Sequence, residues 1–173
     1  MKKNLIVFAS LFAAFFLGNN VMATVGGTAS ATGTATATAR IVQPLEIVKQ
    51  ADLAFGNIAA GIADGSVSIA LDGSRSGMGG VTLIAAGNVN SAASFDIQGY
   101  PGASFTIDLP SSIDIESGND DMEVDNFVSS LGATNSLSNQ GTATLVVGAT
   151  LNVEANQAPG LYSGTFDVVV AYN

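Results

Sequence analysis

ATLVVGATLNV (Ala143–Val153) puts Ala143, Leu145, Val147, Ala149, Leu151 and Val153 on one side of an extended chain. Thr144, Val146, Gly148, Thr150 and Asn152 fall on the other. A period of two belongs to a β-strand with one face in a core and one toward water, and Gly148 on the outward phase marks a bulge or bend. The same period recurs in both directions. Val67, Ile69 and Leu71 alternate until Asp72-Gly73; Val81, Leu83 and Ala85 follow, then Ala93, Phe95 and Ile97 before the turn GYPG (Gly99–Gly102). Phe105, Ile107 and Leu109 run up to Pro110, and Met122 and Val124 begin a shorter strand near Phe127. Between them, GSRSGMGG (Gly73–Gly80) has the composition of a flexible loop. Beyond Pro159-Gly160, the residues Tyr162, Gly164, Phe166, Val168, Val170 and Tyr172 share one face, with Thr165 and Asp167 opposite. No apolar stripe of helical period appears after residue 23. Eight or nine short strands separated by turn signals predict an all-β fold, a β-sandwich Ig-like in size, with a closed barrel as the alternative. Strand order is left open.

The first 23 residues have another layout. Lys2 and Lys3 precede an apolar run, Leu5–Leu17, and Val21-Met22-Ala23 puts small residues at the positions a signal peptidase reads. The run is too short to span a bilayer. It is expected to be a signal peptide (1–23), of the kind used in bacterial export. The protein would then be secreted or held at the cell surface, reached through the periplasm, with no membrane insertion after cleavage.

What remains is 150 of the 173 residues, a length that suits one domain burying about 70% of its unfolded surface. It keeps Arg40, Lys49 and Arg75 against all 14 Asp and Glu, a formal charge of −11. So acidic a surface repels nucleic acid and anionic lipid, so neither is expected as a partner. The chain has no Cys, no His and no Trp. Thiol nucleophiles, a Ser-His-Asp triad and the commonest zinc ligands are therefore missing, and no motif surrounds Lys49 that would make it a base. Paired carboxylates can hydrolyse glycosides, but in clefts lined with aromatics, of which this chain has few. No enzymatic activity and no cofactor are expected.

One acidic cluster stands out, DIESGNDDMEVD (Asp114–Asp125). Asp114, Glu116, Asp120, Asp121, Glu123 and Asp125 are hard oxygen ligands of the type calcium takes. Their spacing is not that of an EF-hand loop, and a solvated loop between strands accounts for them equally.

The segment after the signal, 24–39, precedes a sandwich domain expected over 40–173. Within it, Ala29, Ala31, Gly33, Ala35, Ala37 and Ala39 alternate with Thr and Ser. Extended from Thr28 to Ile41 it would reach roughly 45 Å, whereas an ordinary strand covers about 17–20 Å. It is either an unstructured Thr/Ala leader or a strand that overhangs its own domain.

Four stretches carry a family resemblance: the Ala/Thr leader running into VQPLEI, ADLAFGNIAAG (Ala51–Gly61), GYPGASFTIDLPSSI (Gly99–Ile113) and Gly141–Asn173. Together they resemble an uncharacterised family of small secreted bacterial β domains, a domain of unknown function. The C-terminus also resembles that of chaperone–usher pilins, which end in a strand with a penultimate aromatic and a glycine fourteen residues from the end. Tyr172 and Gly160 hold those positions; a Pro-Gly turn into an ordinary core strand is the plainer explanation. The pilin resemblance implies a fimbrial subunit that polymerises with itself by donor-strand exchange, supporting cell adhesion or biofilm. Its donor face would be Ala29, Ala31, Gly33, Ala35, Ala37 and Ala39, and its C-terminal strand Gly160, Phe166, Val168, Val170 and Tyr172. A periplasmic chaperone and an outer-membrane usher would be the partners on that route. The missing disulfide and the Ala-rich donor face depart from the common pilin pattern. A monomeric secreted or surface-associated β-sandwich binding module is the alternative.

Export with cleavage between Ala23 and Thr24 is directly checkable. N-terminal sequencing of the secreted protein should begin TVGG; a mature protein still starting at Met1 would refute the export assignment.

Overall fold

A computed structural model describes residues 31–173 apart from Asn88. The signal-peptide expectation, Ala29 and the first part of the leader therefore lie outside the described residues. Residues 31–39 are exposed and form no regular secondary structure, and the unit Arg40–Asn173 holds all ten strands.

The fold is all-β, with the strands in two antiparallel sheets consistent with a β-sandwich. In chain order they are β1 (Glu46–Ala51), β2 (Ile58–Ile69), β3 (Arg75–Leu83), β4 (Ala93–Gln98), β5 (Ser104–Asp108), β6 (Ser112–Ser117), β7 (Asp120–Ser129), β8 (Thr134–Ser136), β9 (Thr142–Val153) and β10 (Val169–Tyr172). The larger sheet runs β1-β4-β9-β2-β3, with the β6–β7 hairpin joined to β9; the smaller runs β10-β5-β8.

The strand whose alternation opened the sequence reading, β9, is the hub. Val147 pairs with Ala93 of β4 and with Ser129 of β7, while Leu151 pairs with Val67 of β2 and with Val124 of β7. So β7 occupies one edge of β9, and β4 and β2 divide the other edge between its two halves. The changeover is at Gly148, which is buried and where a Cβ would run into the Ile69 carbonyl and Val128. A glycine is needed there for close approach.

The inward residues of β9 serve two core clusters. Leu145 and Val147 pack with Ala93, Ile97, Phe105 and Leu137; Ala149, Leu151 and Val153 pack with Val124. Leu53 and Phe127 touch both clusters and join them. Each fully buried aliphatic side chain contributes about 1.5–3 kcal/mol relative to exposure, which gives this disulfide-free chain its stability.

Gly73–Gly80 differs from the loop its composition predicts. From Arg75 onward it is strand, paired with β2 from Ile69↔Arg75 to Gly65↔Gly79. Tertiary pairing overrides the weak strand preference of glycine here. β2 bulges between Ala60 and Gly65, and a Cβ on Gly79 or Gly80 would collide with the Ala63–Asp64 backbone. The glycines let the two strands approach at the bulge.

At the other end of the β2–β3 hairpin, Arg75 donates from Nη1 to the carbonyls of Phe55 (2.9 Å) and Asn57 (3.0 Å) and from Nη2 to that of Ile84 (3.1 Å). One guanidinium thus ties together the chain entering β2 and the chain leaving β3. Arg75→Met, which keeps the stem but loses these charge-assisted bonds, should lower unfolding free energy by about 1.5–3 kcal/mol in a urea titration. An unchanged midpoint would mean that water replaces the guanidinium without loss.

Candidate assembly edge

The C-terminal segment keeps the alternation expected of it, but forms far less ladder. Tyr162, Phe166, Val168, Val170 and Tyr172 are partly buried, while Leu161, Ser163, Thr165, Asp167, Val169 and Ala171 are exposed. Backbone pairing is confined to Val169–Tyr172 against Phe105–Asp108, continued by the Asn173 N–H to the Ser104 carbonyl (3.2 Å), and to a single bridge between Ser163 and Glu116. Between these, 164–168 belongs to no strand. The cause lies in the neighbouring chain. β5 and β6 are separated by Leu109-Pro110-Ser111, and Pro110 has no N–H to offer a ladder. Tyr172 faces Phe105, and Ser163 faces Glu116 two residues out of that register.

Two glycines hold this segment against β6. A Cβ on Gly160 would strike Ser117 Oγ, and one on Gly164 would lie 2.8 Å from the Asp114 carbonyl and 2.9 Å from Ile115 Cγ2. Gly160 is therefore a close-approach residue at the start of the segment, and it is exposed.

At the far end, Tyr172 acts as a clasp. Its hydroxyl donates to the Gln43 carbonyl (3.0 Å) and accepts from the Tyr100 backbone N–H (2.6 Å). A Cβ on Gly99 would occupy the same place, so Gly99 makes room for the phenol. Arg40 Nη1 in turn donates to the Tyr100 hydroxyl (3.0 Å). The chain just ahead of β1 is thus fixed beside the C-terminal residues.

Among the described residues β1, β3, β8 and β10 each have one edge without a ladder partner, and β6 has only the Ser163 bridge on its outer edge; two of these edges are that of β1 away from β4 and that of β10 away from β5. Both strands point apolar side chains into one cluster, Leu45 and Ile47 from the β1 side and Phe166, Val168, Val170 and Tyr172 from the other, none of them fully buried. Phe166 lies in the unpaired stretch, edge-on to Phe95 (ring centroids 6.4 Å apart) and tilted on Phe127 (5.1 Å). Of these residues, the C-terminal ones were visible in the sequence as a phase. Leu45, Ile47, Phe95 and Phe127 were not linked to them, because only the fold brings them there.

The expected donor-face residues Ala31, Gly33, Ala35, Ala37 and Ala39 are all exposed, and an added Cβ on Gly33 would meet nothing within 4 Å. The acidic run is a hairpin rather than a loop. Asp114 faces Glu123 and Glu116 faces Asp121 across the β6–β7 ladder. The carboxylates are strung along a ribbon, and among the described residues no group of three or more His, Cys, Asp or Glu converges to hold a metal ion. No helix among the described residues is long and apolar enough to cross a membrane.

The family model of a domain of unknown function, DUF4402, matches residues 45–172, from the first apolar residue ahead of β1 to the clasp tyrosine. The chain belongs to the DUF4402 family. No curated protein and no solved structure matches it. The DUF4402 match thus covers β1, the C-terminal strand and Tyr172, and leaves Arg40, Gln43 and the leader outside.

The clasp predicts a graded response. Tyr172→Phe should lower stability by about 1–2 kcal/mol through loss of its hydrogen bonds. Tyr172→Ala, which also removes the ring, should cost about 2–4 kcal/mol. A Tyr172→Phe midpoint in denaturant equal to the parent's would show that the hydroxyl contributes nothing, and equal midpoints for the two variants that the ring contributes nothing.

Proposed function

We propose that this chain is a structural subunit of an extracellular fibre, built by strand donation between copies and serving adhesion or biofilm. In this reading the 24–39 segment of one copy lies along the open edge of the next copy's C-terminal strand. The observation that carries the reading is that edge. It is apolar on its inner face, partly exposed and unpaired over 164–168, and its side chains share one core cluster with those of β1, whose outer edge is also open. An open apolar edge invites aggregation unless a strand covers it. Main-chain hydrogen bonds along such an edge, with alternate side chains turned inward, are the recognised physics of β-augmentation.

The polarity of the domain supports the same reading. The leader departs beside Tyr172, held by the Arg40–Tyr100 and Tyr172–Gln43 bonds, and the C-terminal segment starts at the opposite end, beside Ser117. In copies stacked end to end, the leader of one enters the next from the end where that segment starts. It then runs antiparallel to it. Such a contact is heterologous and does not close, which makes a filament. Extended at about 3.3 Å per residue, Thr24–Ala39 reaches roughly 50 Å and Ser163–Tyr172 about 30 Å, so the leader is long enough to cross to a neighbour and fill its edge. Export by a cleaved signal peptide would deliver the subunit, with a chaperone covering the edge beforehand where one is used.

The secreted mature protein, run on a denaturing gel without boiling, should give a ladder of multimers that collapses on boiling. Deletion of Thr24–Ala39 should abolish the ladder, and Ala35→Asp should weaken it far more than Thr36→Asp. A single monomer band from the intact mature chain would refute the fibre and favour the monomeric binding module. Equal effects at positions 35 and 36 would remove the alternating face from the account.

A further inference from the structure

We infer that the unpaired edge over 164–168 accepts only a strand whose inward face is made of small side chains, and that Phe166 with Phe95 and Phe127 sets this limit. The inference rests on the fibre reading above and names what that site selects: the Ala/Gly face of the leader of a second copy.

Three large rings meet where the C-terminal segment has no ladder partner. Phe166 is on the unpaired stretch, Phe95 is at the centre of β4 opposite Lys49 of β1, and Phe127 stands beside Asn126, whose φ of 48° interrupts β7. All three are partly buried, as are Leu45, Ile47 and Leu53 on the β1 side. The apolar side of this edge is thus already occupied by the domain's own side chains, and Phe127 and Leu53 pack against both core clusters. A strand laid along an edge already filled has room for its Cβ atoms and little beyond. Small inward residues let its backbone come close enough to bond to 164–168. Larger ones overpack, and close-packed interiors do not absorb added methylenes freely.

The leader has the complementary property. Its inward phase is Ala31, Gly33, Ala35, Ala37 and Ala39, a face with methyl groups and nothing larger, and every one of these is exposed in the isolated chain. An alanine face gains little by hydrophobic transfer. Resting on aromatic rings and freeing the backbone to pair is the use that such a face has. An edge built to take large anchor residues would select against this leader.

The test uses the full mature chain with enlarged residues on either phase: Ala31→Leu, Ala35→Leu and Ala37→Leu inward, Thr34→Leu and Thr36→Leu outward. The readout is the multimer fraction on an unboiled denaturing gel, checked by sedimentation velocity. At least one inward variant should lose about tenfold or more of the multimer, with the outward variants close to the parent. In that inward variant, Phe166→Leu or Phe166→Ala should restore assembly, provided a thermal melt shows the domain folded; Phe166→Leu is the milder change and guards against simple unfolding. Inward leucines that assemble as well as the parent or better would overturn the inference while leaving the fibre intact. So would failure of both Phe166 variants to rescue in a folded domain. A parent that forms no multimer at all would instead remove the fibre reading itself.

Discussion

Everything in this domain depends on one strand being shared. β9 is twelve residues long and serves three partners, with β7 along one edge and β4 and β2 in succession along the other. Its inward side chains belong to both core clusters, so the two halves of the domain cannot separate without breaking it. The cost of that arrangement is concentrated at Gly148, where the partner strands change over and no side chain would fit. A disulfide-free domain needs a continuous core, and a single long strand with an unbroken apolar face provides it.

The sharing also explains where the fold stays open. With β9 saturated on both edges, the remaining unpaired backbone is displaced to the periphery, among it to β3, to β8, to the outer edge of β6, to β1 and to the C-terminal segment. Of these, β3 carries glycines and faces a bulge, and β1 has a bulge of its own between Lys49 and Ala51. The C-terminal segment has no ladder over 164–168 and flanks apolar side chains of the first core cluster. The proposed fibre rests on that edge. The acidic β6–β7 ribbon borders that edge through the Glu116–Ser163 bridge, and its carboxylates, facing one another across the ladder, make it densely negative.

The sequence by itself determined the class and most of the core. A period of two with β-branched and aromatic residues can bury a face only as a strand, and Leu145, Val147, Leu151, Ile97, Phe105 and Val67 all occupy the buried side that their phase predicts. The phase of the C-terminal segment was equally legible, because alternate exposure needs no ladder. The short β1 was missed, as was the strand within Gly73–Gly80. In both, local composition is outweighed by pairing with a distant strand: β4 for β1 and β2 for β3.

Tertiary structure alone decided the strand order, the two-register pairing of the C-terminal segment around Pro110, and the meeting of Phe95, Phe127 and Phe166. It alone converted the penultimate tyrosine from an end-of-chain aromatic into a clasp that joins Gln43, Tyr100 and the last strand. The reason is that periodicity is a local property, set by the geometry of a single extended chain, and it shows which side of a strand seeks a core. Which edges find partners depends on contacts between residues far apart in the chain, and one sequence carries no local signal of those.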